Sequence, residues 1–568
     1  MKKWVSIFLV LAMTLCASTS LANINPPEGS TRIAPEGQTI DLSIFQPLTP
    51  LVTDLSAENN LTTKIIEDAT GLKLNFVTAP ATDVKTKLNL LLSSGDYTEV
   101  ISVKGVIDNA SMDQYAQQGI FTALDDYITP EIAPNIYKIF QENPAAKAVC
   151  TGSDGKIYSL PDINDCYHCF YGNGRAWYYM PWMQEINGGK LPTTTEELRT
   201  YLQYIKDNDV NGNGDPNDEI PLAFNSTNND GINRFIVWLS NFFMAYPYKH
   251  YAVGDDGTIK ACFTQPEYKQ ALQYAHELYE SGLILSDAFS ITVDDLRTIG
   301  EDPNGARLGM IVGWGPEDGV AKAGTTKRWF QYFPLSPVEG PTGQRNHTYT
   351  GQWGSVMPGF FVTDKCKNIE AAVRLADLLM DPYYTYTVYF GPKGLTWDDP
   401  EEGSVGFNGK PAEFRELMAY GTQPQNSSWD QASISNRPAS FRLSQQAQGA
   451  DVIYKYLDGD FSLLDQASAL GSYNEIMKYY GCQKNLDPYK FDEKIIVPPL
   501  LYSADKADIV ADANAAVDAY RLEMIAAFVT GTRSLDEFDQ YVSEMEGMGL
   551  NDILGAMNEA YQKTVALK

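Results

Sequence analysis

"TIDLSIF" (39–45), "AENNLTTKIIEDATG" (57–71) and "LKLNFVTA" (72–79) decide the fold. The first and third alternate apolar and polar residues, the period of a half-buried strand. The middle stretch reads as a helix closed by Gly71. Next comes "TDVKTKLNLLLSSGD" (82–96), a helix with Leu88, Leu91 and Leu92 on one face and a stop at Gly95. "TEVISV" (98–103) is a strand again. Strand, helix, strand, helix, strand predicts an α/β domain around a mostly parallel sheet. Such sheets bind ligands outside the carboxyl ends of their strands. That makes "FQPLTP" (45–50) and "VKGVIDN" (103–109) candidate cleft loops.

Further along, helices dominate. "TTTEELRTYLQYIKDN" (193–208) has a Thr cap and Glu in its first turn. "QPEYKQALQYAHELYESG" (265–282) and "NIEAAVRLADLLMD" (368–381) are helices, and the chain after about 408 is largely helical. "GARLGMIVGWGPEDG" (305–319) is a strand entering a Gly-rich loop. The 568 residues are too many for one core. With no repeats and no long linker, the domains are expected to interleave.

Lys2 and Lys3 followed by the apolar "WVSIFLVLAMTLCA" read as an export signal, with cleavage after Ala22. A lipid-anchored form through Cys16 is the alternative, although Leu15 is a poor residue before a lipidated cysteine. No later segment is apolar and long enough for a membrane span. Residues 23–37, "NINPPEGSTRIAPEG", read as a flexible leader. A net charge of −29 argues against nucleic acid and anionic membranes as partners. "CYHC" (166–169) has the look of half a zinc site or a redox pair but no second half in sequence. A local disulfide or two ordinary thiols is the plainer expectation.

"DNDVNGNGDPNDEIPL" (207–222) places Asp209, Asn211 and Asn213 at alternate positions, then Gly214 and Asp215. That is the opening of a calcium loop, in which oxygens converge around a sharp glycine turn. An EF-hand would place Glu at the twelfth position; here Ile220 stands there, and Asp218 and Glu219 must close the cage. A solvated Asx-rich turn is the alternative.

With its flanks, "KLPTTTEELRTYLQYIKDNDVNGNGDPNDEIPL" (190–222) resembles a segment of the family 1 extracellular solute-binding proteins of bacterial ABC importers. The resembling subgroup includes lipoprotein-type sugar binders and calcium-containing alginate-binding proteins. "KLNLLLSSGDYTEVI", "FTALDDYI", "DGKIYSLP", "GMIVGWGPEDG", "FGPKGLTW" and "FVTGTRSLDEFDQYVSEMEGMGL" agree in the same order. The resemblance implies a two-lobed periplasmic-binding-protein-like fold of type II, α/β, with a ligand cleft between the lobes and a helical C-terminal part. The first lobe is expected at 38–165 plus about 335–400, the second at 166–334 plus about 401–568. It also implies an exported monomer that captures an oligosaccharide and delivers it to a membrane permease. The structural Ca²⁺ would be held by Asp209, Asn211, Asn213, the carbonyl of Asp215, Asp218 and Glu219. One extra residue before the Asp-Glu pair leaves Asn217 as an alternative to Asp218.

Sugars offer flat C–H faces and a fringe of hydroxyls, which proteins meet with aromatic rings and polar side chains. Trp314, Trp353 and Trp429 fall in polar or Gly-rich loops; Trp177 and Trp182 follow in "RAWYYMPW". Gln46, Asp318, Gln352, Asp430 and Arg437 are the candidate polar partners. An exported glycosidase with a carboxylate pair is the rival class. The sequence lacks G-x-S-x-G, H-E-x-x-H and P-loop motifs, and a binder, not an enzyme, is the expectation.

Overall fold

The computed structural model describes residues 24–566 apart from 184, 228, 229, 323, 352–355, 419, 420, 501 and 503. The expected signal at 1–22 with Cys16 lies outside the described residues, as do Gln352 and Trp353.

The strands are β1 (Ile40–Leu48), β2 (Leu72–Pro80), β3 (Val100–Ser102), β4 (Leu160–Asn164), β5 (Arg175–Tyr179), β6 (Ile220–Ala223), β7 (Tyr251–Val253) and β8 (Ile259–Ala261). They continue as β9 (Leu308–Gly313), β10 (Tyr332–Pro334), β11 (Val356–Val362), β12 (Trp397–Asp398), β13 (Arg415–Glu416) and β14 (Asn436–Arg437). The opening stretch folds as its periodicity predicts. β1 and β2 pair in parallel, Ile40 opposite Leu72 through Leu48 opposite Pro80. The helix Leu61–Thr70 between them begins where the Asn60 side chain accepts from Thr63 N–H, and it ends at Gly71. β3 flanks β1 on the other side, also in parallel.

Six strands form the first sheet, in the order β14-β4-β11-β3-β1-β2. β11 runs antiparallel to both β3 and β4, and β14 runs parallel to β4. The carboxyl ends of β1, β2, β3, β4 and β14 therefore share one edge. The second sheet has the order β10-β5-β9-β6. β9 is parallel to β6 and antiparallel to β5, which puts Arg175 at the start of β5 opposite Gly313 at the end of β9. Each sheet anchors its own core. Leu42, Val100, Phe360 and Leu375 belong to the first, and Trp177, Leu222, Met310 and Phe528 to the second. The result is two α/β lobes, with the helices Ala504–Thr530, Phe538–Gly547 and Leu550–Ala566 covering the second.

Three expectations need correction. Residues 24–37 are not a free leader: Ile24 is buried with Trp397 and Phe441, Ile33 N–H donates to Thr70 O at 2.8 Å, and Lys393 Nζ donates to Ile24 O at 3.0 Å. Proline and glycine permit such a strap as readily as a loose tail, because packing rather than composition decides between them. Residues 335–349 do not start the return to the first lobe, since Leu335 and Val338 are in the second core. Much of 401–441 packs on the first lobe, although Phe407 joins the second core. On the first lobe Phe414 and Phe441 pack against Tyr386 and Phe390, and β14 joins the first sheet. The chain therefore passes between lobes after β4, again before β11, and finally between Phe441 and Ile453.

Candidate functional site

At the shared carboxyl edge of the first sheet the buried side chains turn polar. Gln46 lies near the end of β1, Lys104 just past β3, Asp162 and Asn164 in β4, and Arg437 in β14. Asp162 sits at the centre. It accepts from Arg437 Nη2 at 2.9 Å and from Ser435 N–H at 2.9 Å, and it stands 3.6 Å from Lys104 Nζ. Burial, with help from Arg437, lowers the Lys104 ammonium to about 8 against the pull of Asp162. Gln46 Nε2, Lys104 Nζ, Asn164 Oδ1 and Arg437 Nε and Nη1 are buried without a hydrogen-bond partner among the described residues. Each such group costs about 1–3 kcal/mol. A cluster of them at one sheet edge is a site built for polar partners from outside the chain.

The second lobe presents Arg175 and Trp314. Arg175 is buried with its guanidinium 5.1 Å from the Trp177 ring and 5.5 Å from the Trp314 ring. None of its three guanidinium nitrogens has a hydrogen-bond partner among the described residues. Arg234 approaches the Trp314 ring at 5.7 Å. The ring rests on Gly172, where an added Cβ would fall 2.3 Å from it, so only glycine fits. Trp314 N–H donates to the Asp318 carboxylate at 2.6 Å, fixing the loop after β9. Trp314 is half-buried.

A charged belt joins the two lobes. Tyr389 lies between the guanidinium groups of Arg437 and Arg442, each 5.3 Å from its ring. Arg442, on the first lobe, donates to Glu475 of the second at 3.0 Å. Glu475 is also 3.1 Å from His168 Nε2. Lys478 then reaches Glu317 at 3.4 Å, three residues beyond Trp314. Burial works to raise both carboxyls, but the neighbouring cations and hydrogen-bond donors win. Lys478 and the Trp329 indole N–H hold Glu317 at about 2, and Arg442 and His168 hold Glu475 well below the usual range.

The structure sorts the aromatic candidates. Trp429 is not a platform: its loop folds down onto the first core, where the indole N–H donates to Thr63 Oγ1 at 2.7 Å and the ring meets Phe76 edge-on. Asn60 and Thr62 hold that loop through the carbonyls of Ser428 and Ser427. Trp177 and Trp182 are second-core residues, the former donating to Gly313 O at 3.2 Å and the latter packed on Tyr179. A polar flank marks a loop in sequence but does not say that the loop stands free. Gln46 and Arg437 do fall in the first-lobe cluster, with Asp430 acting on Lys104 beside them, and Asp318 lies under Trp314. Lys104, Asp162, Asn164, Arg175, Arg234, Tyr389, Arg442 and Glu475 were not singled out by sequence. Lys104 lay inside a loop that the strand pattern flagged, and Arg175 inside "RAWYYMPW".

Away from the cleft, the acidic loop follows the capped helix Thr195–Asp207, whose Thr194 hydroxyl accepts from Glu197 N–H. Asp209 accepts from the N–H groups of Asn213 and Gly214 at 3.1 and 2.9 Å. The amides of Asn211 and Asn213 both donate to the Asp218 carboxylate, at 3.0 and 2.9 Å. Glu219 Oε1 accepts from Asn211 N–H at 3.1 Å, while its Oε2 is buried with no partner among the described residues. Burial raises the Glu219 carboxyl above its ordinary value, with Asp218 and Asp209 adding to the effect. Gly214, at φ 90°, makes the turn. The Asp215 side chain points to Asn217 instead of inward, which leaves its carbonyl as its available donor. Asp218, not Asn217, faces the asparagine amides. Oxygen-rich donors, crowded carboxylates and one orphaned buried oxygen fit a hard cation such as Ca²⁺. Turning the two amides end for end would offer it their oxygens.

The "CYHC" pair is closed as a Cys166–Cys169 disulfide. Cys150, Cys262, Cys366 and Cys482 are free thiols. Among the described residues no helix is long and apolar enough to cross a membrane.

Known proteins share this fold. The fructooligosaccharide ABC transporter substrate-binding protein FusA of Streptococcus pneumoniae serotype 4 is 26% identical over 95% of this chain and 93% of its own. Its structure in complex with kestose superposes with a TM-score of 0.72 at 22% identity, covering 93% of this chain and 100% of that one. An EF-hand mutant of the same protein with fructo-nystose gives the same TM-score of 0.72. The alginate-binding protein AlgQ2, solved without calcium ion, superposes with a TM-score of 0.66 at 21% identity, covering 94% and 100%. The sequence pattern of the bacterial extracellular solute-binding proteins matches residues 53–384. With that match over more than half its length, on two α/β lobes, the chain belongs to the bacterial extracellular solute-binding proteins.

Proposed function

We propose that this chain is the substrate-binding component of an ABC importer, taking an oligosaccharide between its lobes and delivering it intact to a membrane permease. The observation that carries this reading is a pair of sheet edges, one in each lobe. One has Gln46, Lys104, Asn164 and Arg437 with unpaired buried polar atoms, and the other has Arg175 beside the half-buried Trp314. A ligand rich in hydroxyls supplies both donors and acceptors to such a surface, and a sugar C–H face suits an indole. The relative FusA is named for fructooligosaccharides, which makes these the first sugars to try.

The acidic loop then holds one structural Ca²⁺ through Asp209, Asn211, Asn213, the Asp215 carbonyl, Asp218 and Glu219. When bound, the ion neutralises the crowded carboxylates and ties the end of the helix Thr195–Asp207 to β6. The chain works outside the cytoplasm as a monomer, after removal of residues 1–22 or anchored through Cys16.

Retention from a mixed oligosaccharide pool tests the reading. The purified protein is equilibrated with the pool, separated from it, denatured, and its released sugar weighed by mass spectrometry. An intact oligosaccharide in a one-to-one ratio is expected. Shortened products would indicate a glycosidase, and a protein that retains no sugar from a broad pool would end the proposal.

A further inference from the structure

The Cys166–Cys169 disulfide lies in the first crossing between the lobes, in the ten residues separating β4 from β5. It closes the start of the short turn Tyr167–Tyr171, whose Tyr171 packs with Cys482 and Leu486 of the second lobe and whose Phe170 meets Tyr349 of the second crossing. The two sulfurs differ in surroundings. Cys166 is buried, whereas Cys169 is half-exposed. The imidazole of His168 lies beside both, its Nε2 3.5 Å from Cys166 Sγ and its Nδ1 3.8 Å from Cys169 Sγ. That same Nε2 is 3.1 Å from Glu475, the carboxylate that also accepts from Arg442 across the lobes. A purely structural staple would have no need of a buried imidazole held in place by a buried carboxylate.

We propose that this pair is a thiol–disulfide exchange site on the interlobe hinge, with Cys169 as the attacked sulfur, Cys166 as the leaving sulfur, and a dithiol reductant as its partner. The reductant's thiolate attacks Cys169 Sγ, forming a mixed disulfide and breaking the Cys166–Cys169 bond. Its electron pair goes to Cys166 Sγ. The leaving thiolate takes its proton from solvent and accepts a hydrogen bond from the His168 Nε2 side; burial holds that imidazole at about 4, so the ring stays neutral, while Arg442 and Lys478 supply a positive field around it. The second thiol of the reductant then attacks its own sulfur in the mixed disulfide. This releases Cys169 as a thiol and the reductant as an intramolecular disulfide, so that two electrons and two protons have moved to the protein. Exchange rates depend on which sulfur is accessible and on how well the departing thiolate is stabilised; here access belongs to Cys169 and stabilisation to Cys166. Opening the bridge frees the turn that carries Phe170 and Tyr171 into the hinge.

Thiol counting on the folded full chain tests this. A Cys366→Ser background removes the other half-exposed thiol. Protein purified in air should hold the bridge and gain two thiols in dithiothreitol without denaturant, while its melting transition stays intact. His168→Gln should slow that gain about tenfold, as loss of leaving-thiolate stabilisation does. Should His168→Gln fail to fold, the single-cysteine variants decide. Cys166→Ser, which leaves Cys169, should form a mixed disulfide with an aromatic disulfide reagent at least about tenfold faster than Cys169→Ser, which leaves the buried Cys166. Two free thiols in air-purified protein, a bridge that yields only when the protein unfolds, or equal rates for the two variants would overturn the proposal.

Discussion

Trp314 and Trp429 read alike in sequence and part in the structure. Both sit in loops among polar neighbours, yet Trp429 is 1% exposed and hydrogen-bonded into the first core, whereas Trp314 is half-buried at the cleft beside two arginines. Alanine at the two positions should therefore fail differently. Trp314→Ala is expected to weaken binding of the retained oligosaccharide by about 1–3 kcal/mol, the scale of one large buried contact, with its melting temperature near wild type. Trp429→Ala should lose about 3–5 kcal/mol of stability, the cost of emptying a core tryptophan site, while the folded fraction binds normally. Titration calorimetry and denaturant unfolding measure the two quantities, and the opposite pattern would reverse the assignments. Arg437 was among the sequence candidates, but its place beside Lys104 was hidden for a different reason. Lys104 and Arg437 lie 333 positions apart and meet only because Asp162 in β4 sits between β14 and the neighbouring strands.

Elements with local causes were readable. The Asn60 cap and Gly71 stop, the Thr194 cap with Glu197, and the alternation of β1 all rest on residues within one turn or one strand. The acidic loop is of the same kind, since its side chains lie within eleven positions and their spacing alone brings them together. Its prediction is a matter of linkage. Ca²⁺ at a hundredfold excess over its Kd should raise stability by about 2.7 kcal/mol, and a chelator should remove the gain. Asp209→Ala should melt at the chelated value with or without Ca²⁺. A wild-type melting curve indifferent to both treatments would mean that the loop is only a solvated turn. Less readable was the side chain that organises the helix Pro134–Glu142. Asp377, from a distant helix, accepts from Ile136 N–H at 2.8 Å and from the Asn135 amide at 3.1 Å. Burial pushes its carboxyl up to about 6 despite those bonds. A raised carboxyl binds its proton more tightly in the folded state, so its contribution is whole below about pH 4 and is lost as pH rises through 6. Asp377→Asn should flatten that part of the stability profile. An unchanged slope between pH 4 and 6 would show that the carboxylate ionises freely.

At the scale of the molecule, the order of elements made two interleaved α/β lobes legible, but not where the chain changes lobes. Composition marked 23–37 as loose, and the resemblance implied that 401 onward belongs to the second lobe. The decisive contacts, Ile24 against Trp397 and β14 against β4, are long-range packing that no local signal announces. Lobes joined by three crossings, each with unpaired polar atoms at a sheet edge, suit hinge closure about the proposed ligand. Arg442–Glu475 is a pair that such motion must respect, since it bridges the two lobes beside the first crossing. The most direct test is small-angle scattering during titration with the oligosaccharide that the protein retains. The account predicts a radius of gyration that falls with occupancy and levels off at one equivalent, as the lobes close on the sugar. Saturated binding with an unchanged radius would contradict capture between the lobes.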